Sequence, residues 1–128
     1  MPSLVAWFWL CLAATLVLVG LTLATGRRRR RRAHVALALA AVALLAVTVV
    51  FAERMAGARD FPRGPMRIHL VFAKSAAFMV LPVAVTGILL WRSPRTRWAH
   101  RAAVIAFLTL TVIAIGTGTW VFSLSTPK

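Results

Sequence analysis

The chain has 128 residues, of which 61% are hydrophobic, and its sixteen Lys and Arg outnumber the two acids to give a formal net charge of +14, with a mean hydropathy of +0.85. No soluble core of this size needs so much apolar residue, so the composition implies an integral membrane protein. The charges stand in short clusters between apolar stretches rather than spread over a polar face, which excludes nucleic acid as a partner.

Four segments reach the length of roughly 20 residues that a helix needs to cross about 30 Å of hydrocarbon. They span residues 4–25, 33–52, 68–91 and 102–122. Within each, every backbone polar group is satisfied inside its own helix. The expected fold is all-α: a polytopic, antiparallel bundle of four transmembrane helices, with residues 1–128 forming a single transmembrane domain.

The first segment has no positive charge before its apolar run, and arginines follow it, so it reads as a retained helix rather than a signal peptide. It holds the only cysteine, Cys11, which can form neither an intrachain disulfide nor a multi-thiolate metal site. Six consecutive arginines come next: Arg27, Arg28, Arg29, Arg30, Arg31 and Arg32. Together with Arg92, Arg95, Arg97 and Arg101 they put ten Lys or Arg on the first and third loops, against five on the second loop and the C-terminus (Arg54, Arg59, Arg63, Arg67 and Lys128). The positive-inside rule assigns the ten to the cytoplasm and both termini to the periplasm or exterior. Trp7, Trp9 and Trp120 then fall near the outer interface and Trp91 and Trp98 near the inner one. The arginine run is thus a topology signal and a contact for membrane lipids, worth on the order of 1 kcal/mol per residue near anionic headgroups.

The second, third and fourth segments each open on a histidine that follows an arginine within three residues: His34 in "RRRAHV", His69 in "MRIHLV" and His100 in "RTRWAHRA". Interfacial boundary chemistry explains three histidines at helix ends. Ligation explains them as well, and a second regularity bears on it. His69 is followed by Thr86 and Gly87, and His100 by Thr117 and Gly118, at the same spacing. Five helical turns separate each histidine from its glycine, so the two share one face about 27 Å apart. That face reads Ala73, Ala76, Val80 and Val83 in the third helix, and Ala103, Phe107, Thr111 and Ala114 in the fourth. Antiparallel pairing brings His69 level with Gly118 at the outer side and His100 level with Gly87 at the inner side. The missing side chain serves close helix packing or makes room for a flat cofactor beside a ligand.

His34 and His100 both enter from the cytoplasmic side. Two neutral imidazoles on two helices are what six-coordinate haem iron, or a copper ion with further ligands, requires. Arg31, Arg32, Arg97 and Arg101 then lie where haem propionates need neutralising. The candidate cofactor-binding residues are therefore His34, His100, His69, Gly87 and Gly118, with His34 and His100 as the metal ligands and haem b as the cofactor. No Cys pair, HExxH helix or multi-carboxylate set offers another metal signature, and no catalytic constellation is visible. Lys74 lies about 10 Å along the third helix, rotated about 140° from His69, and its charge must snorkel or meet Glu53 or Asp60. Pro82 removes a backbone donor from the same helix and predicts a kink.

The stretches "RRAHVALALAAVALLAVTVVFAERMAGARDFP", "RIHLVFAKSAAFMVLPVAVTGILLW" and "HRAAVIAFLTLTVIAIGTGTWVF" resemble a family of small bacterial multi-helix membrane proteins, some of which are linked to maturation of haem-copper cytochrome oxidase. The likeness covers the last three helices and rests on His34, His69, the pair His100 and Arg101, and Thr117 with Gly118. Two departures stand beside it: no histidine follows the second helix near Phe51, and "LTVIAIG" replaces the family's aromatic run before the final Thr-Gly. The chain is also loosely similar to membrane cytochromes b, in which helix-borne histidines hold haem. The resemblance implies an accessory or assembly component of a respiratory or other electron-transfer complex, partnered by other integral membrane subunits. A purely structural small subunit and a b-type cytochrome electron carrier are the competing expectations.

Overall fold

The computed structural model describes residues 2–128. Four α-helices account for nearly all of them: α1 (Pro2–Arg27), α2 (Arg31–Ala58), α3 (Arg63–Arg92) and α4 (Arg97–Ser123). A short 3-10 turn, Pro94–Thr96, leads into α4, and Arg59–Asp60 and Thr126–Pro127 are two-residue extended segments. All four helices are long and apolar enough to cross a membrane. Each outruns its predicted apolar span, because the apolar run marks the hydrocarbon thickness and not the helix. Arg27, Arg31, Arg32, Arg63 and Arg67 are helical residues with long, straight side chains, and Pro65 stands in the first turn of α3, where a missing N–H costs no helical bond. The helix α3 is continuous from Arg63 to Arg92 and carries Pro82 inside it.

Residues 1–128, taken as one domain from the sequence, divide into two compact units: Met1–Asp60 with Pro127–Lys128, and Phe61–Thr126. Each is an antiparallel helix hairpin. In the first, α1 packs on α2 across the reversal at Arg28, Arg29 and Arg30. Its seam buries Thr15 from α1 and Ala41, Thr48 and Met55 from α2. The last three recur every seven residues from His34, the spacing that keeps one narrow stripe against a neighbouring helix. The two threonine hydroxyls meet at 3.3 Å inside this seam, while each also bonds the carbonyl four residues back, on Cys11 and on Leu44. Lys128 joins this unit by its backbone N–H to Ala58 O (3.3 Å) and by its ammonium, 3.3 Å from Gly57 O and 3.7 Å from Asp60.

In the second unit α3 packs on α4. Ala76, Ala103 and Val121 are its buried apolar residues. Ala76 lies seven residues after His69, and Val121 ends the series His100, Phe107, Ala114, Val121 at the same interval. Outside these stripes the helices are apolar and open, with Trp98 75% exposed and Phe78 71% exposed. A soluble fold would cover such surface; a helix hairpin whose solvent is lipid has no cause to.

Candidate functional site

Each of the three histidines is seated in the same local device, a glycine on the facing helix with a hydrogen-bond acceptor beside it. His69, in the second turn of α3, lies against Gly118 of α4, where an added Cβ would stand 3.0 Å from its Cε1. Its Nδ1 is 3.1 Å from Ala114 O and 3.3 Å from Thr117 Oγ1. Ala114 is one turn before Gly118, so the bare glycine opens the way to that carbonyl. His100, in the first turn of α4, lies against Gly87 of α3, with an added Cβ 3.4 Å from its Cε1. Its Nδ1 is 3.1 Å from Thr86 Oγ1. His34, in the first turn of α2, lies against Gly26 of α1, with an added Cβ 3.0 Å from its Nδ1, and that Nδ1 is 2.8 Å from Thr22 O, again one turn before the glycine.

The acceptors fix the tautomer. A carbonyl oxygen only accepts, so Nδ1 of His34 and of His69 carries the proton. Thr86 directs its hydroxyl to Pro82 O at 2.7 Å, so its oxygen receives the proton of His100 Nδ1. In a neutral ring the lone pair is then on Nε2. For His34 and His69, Nε2 has no hydrogen-bond partner among the described residues.

The two histidine–glycine pairings expected in α3 and α4 are thus present, at the helix ends where antiparallel register puts them. The gap beside each glycine is filled by the imidazole itself. His69 and His100 stand at opposite ends of the second hairpin, and His34 belongs to the first. The pairing of His34 with Gly26 went unread in the sequence. Thr25–Gly26 repeats Thr86–Gly87 and Thr117–Gly118 and was the signal for it. Among the described residues no group of three or more His, Cys, Asp or Glu is placed to hold a metal ion by itself.

The arginines from Arg27 to Arg32 are all exposed, and Arg29 has a φ of 55°, the left-handed region that long side chains rarely enter. Lys74 is exposed on α3 and makes no hydrogen bond or ion pair among the described residues. Cys11 is half-buried. No family model, curated protein or solved structure matches the chain.

Proposed function

We propose that the chain is an accessory or assembly component of a respiratory or other electron-transfer complex in the bacterial cytoplasmic membrane, with both termini outside, and that it takes up haem b through His34 and His100. The observation that carries this reading is the Nδ1 anchoring of the histidines. A ligating histidine commonly donates its other ring N–H to a backbone or side-chain oxygen, which holds the ring and leaves Nε2 basic. A porphyrin would bring most of its iron's ligands with it, so His34 and His100 would be enough to hold it where a bare metal ion would need a cluster of protein donors. Haem when bound would supply one-electron redox chemistry. The chain's own part is to hold each ring on its glycine, present Nε2, and offer Arg31, Arg32, Arg97 and Arg101 to carboxylates at the same helix ends. The resemblance to proteins linked to cytochrome oxidase maturation supports the respiratory setting.

A second reading, a structural subunit without cofactor, is favoured by the way the imidazoles fill the glycine gaps. Histidine in that case is an interhelical clasp and nothing more. The visible spectrum of protein purified after haem-replete expression separates the two. Haem binding gives a Soret band with reduced α and β bands, diminished in His34→Ala and in His100→Ala while far-UV circular dichroism stays helical. No Soret band overturns the haem reading, and a band unchanged in both variants overturns the ligand assignment.

A further inference from the structure

Two polar groups on α3 stand inside its apolar segment, residues 68–91, without a partner. Lys74 lies about 10 Å along the segment by helical rise. It is exposed and makes no hydrogen bond or ion pair among the described residues. The second group is a backbone atom. Pro82 sits inside α3 and has no N–H, so the helical bond that would end on Phe78 O is missing. No described side chain donates to that carbonyl instead. Phe78 is about 15 Å along the segment, the middle of about 30 Å of hydrocarbon.

The two groups share a face. Lys74, Phe78 and Pro82 follow one another at intervals of four residues, within an arc of about 80°. All three are exposed, Phe78 to 71%, while Ala76, rotated about 160° from Lys74, is buried. Hydrocarbon answers neither group, because it holds no hydrogen-bonding atoms. The lysine has a partial remedy, since its stem leans toward the N-terminal end of α3, the nearer boundary. A carbonyl in the middle of a helix has none.

An ammonium inside a span calls for a carboxylate beside it. The chain has only two acids, Glu53 and Asp60, and both follow the apolar segment 33–52 rather than lie within it. Asp60 also stands 3.7 Å from Lys128. A second copy of the chain brings the same two acids at the same places, so the complement to Lys74 belongs to a different polypeptide.

We infer that this face of α3 docks a transmembrane helix of a partner subunit, one that carries Asp or Glu at the depth of Lys74 and a hydroxyl or amide donor about one turn deeper, against Phe78 O. Each unmet group then finds its complement, the ammonium a carboxylate and the free acceptor a donor. The inference rests on the reading of the chain as one component of a membrane complex, and not on haem.

The test uses the full chain in phosphatidylcholine vesicles with a synthetic Leu/Ala transmembrane peptide. The peptide carries one Glu about 10 Å from one end of its apolar run and one Ser a turn deeper. Energy transfer from the chain's tryptophans to a dansyl group on the peptide reports association. The Glu peptide is expected to associate about tenfold more tightly than its Gln counterpart. That difference disappears in Lys74→Leu and persists in Lys74→Arg. Replacing the peptide's Ser by Ala weakens association by about threefold, and Pro82→Ala, which restores the N–H to Phe78 O, removes that dependence. Equal association of the Glu and Gln peptides leaves Lys74 to the interface and overturns the proposal, as does a Glu preference that survives Lys74→Leu. Indifference to the Ser overturns the part given to Phe78 O. Self-association of the chain alone, abolished by Lys74→Leu, assigns the face to a second copy and overturns the partner. The Soret band is read on separate samples without peptide, so a failure of docking and a failure of haem binding are distinguishable.

Discussion

Alanine at Gly118 puts one methyl group into the clasp that joins α3 to α4. Its Cβ would lie 3.0 Å from His69 Cε1, 3.3 Å from Nδ1 and 3.7 Å from Nε2. Carbon atoms rest at about 3.5–4.0 Å, so the ring must withdraw by roughly half an ångström. It is tethered at Nδ1 to Ala114 O and Thr117 Oγ1, and withdrawal stretches both contacts. Overpacking of this kind costs about 1–3 kcal/mol, and loss of the hydrogen bond about 0.5–1.5 kcal/mol. The helical preference for alanine over glycine returns about 0.8–1.0 kcal/mol. A net loss of about 0.5–3.5 kcal/mol follows from those terms, centred near 2 kcal/mol. Gly26→Ala should behave alike, since its Cβ would stand 3.0 Å from His34 Nδ1 and 3.1 Å from Cε1. Gly87→Ala differs: its closest contact is 3.4 Å, and the helical preference then decides in favour of neutrality or slight gain. Gly20 and Gly116 meet nothing within 4 Å and serve as controls that gain stability. Reversible unfolding in mixed detergent, followed by tryptophan fluorescence, ranks the variants. A double-mutant cycle with His69→Ala isolates the clash, and its coupling should exceed about 1 kcal/mol. If Gly118→Ala is as stable as Gly116→Ala, or if the coupling is near zero, the clasp does not hold the hairpin.

Three further outcomes are expected in the same unfolding assay. Thr48→Val removes the 3.3 Å contact with Thr15, but both hydroxyls also bond their own helices, so the loss should stay near the ~0.6 kcal/mol average for such bonds between membrane helices. Asp60→Asn should change stability by less than about 0.5 kcal/mol, because its pairing with Lys128 spans 3.7 Å between side chains 70% and 49% exposed. Lys74→Leu should leave stability unchanged and raise the membrane-inserted fraction measured by protease protection, since a lysine costs up to about 3 kcal/mol at a helix centre on insertion scales and less at the depth of Lys74. A loss of stability would instead reveal a partner for that ammonium.

The four helices were legible because length and hydropathy over some twenty residues overwhelm local preferences. Their ends were not, since arginine is as good a helix former as leucine and carries no stop signal at Arg27 or Arg63. The levels of His69 with Gly118 and His100 with Gly87 could be read from helical periodicity and antiparallel pairing. The acceptors could not: Ala114 O and Thr22 O are backbone atoms, which no residue type announces. Nor does a glycine declare what will fill its gap. Room for a flat cofactor and room for the facing imidazole look alike until the two helices are docked.

One register runs through both hairpins. Counting from each histidine, Thr86–Gly87 and Thr117–Gly118 fall at the seventeenth and eighteenth residues after His69 and His100. Thr25–Gly26 stands at the same offset from Phe8, and Phe51–Ala52 at the same offset from His34. In the register set by Gly26 and His34, Phe8 comes level with Ala52. There the ring has no N–H to place on a carbonyl, and the small residue keeps its Cβ. The two hairpins are thus variants of one plan, complete in the second and lacking a clasp at the open end of the first, where buried Met55 and the bond from Lys128 to Ala58 O stand instead. Equivalence of position gives His34 and His100 a common character. Both occupy the first turn of the second helix of a hairpin, after a connection that carries arginines, and both hold Nδ1 against the next-to-last turn of the preceding helix. His69 lies at the opposite end of the second hairpin, in the second turn of its first helix, with Arg63 and Arg67 before it on the same helix. Position in the hairpin therefore sorts His34 and His100 into one class and His69 into another.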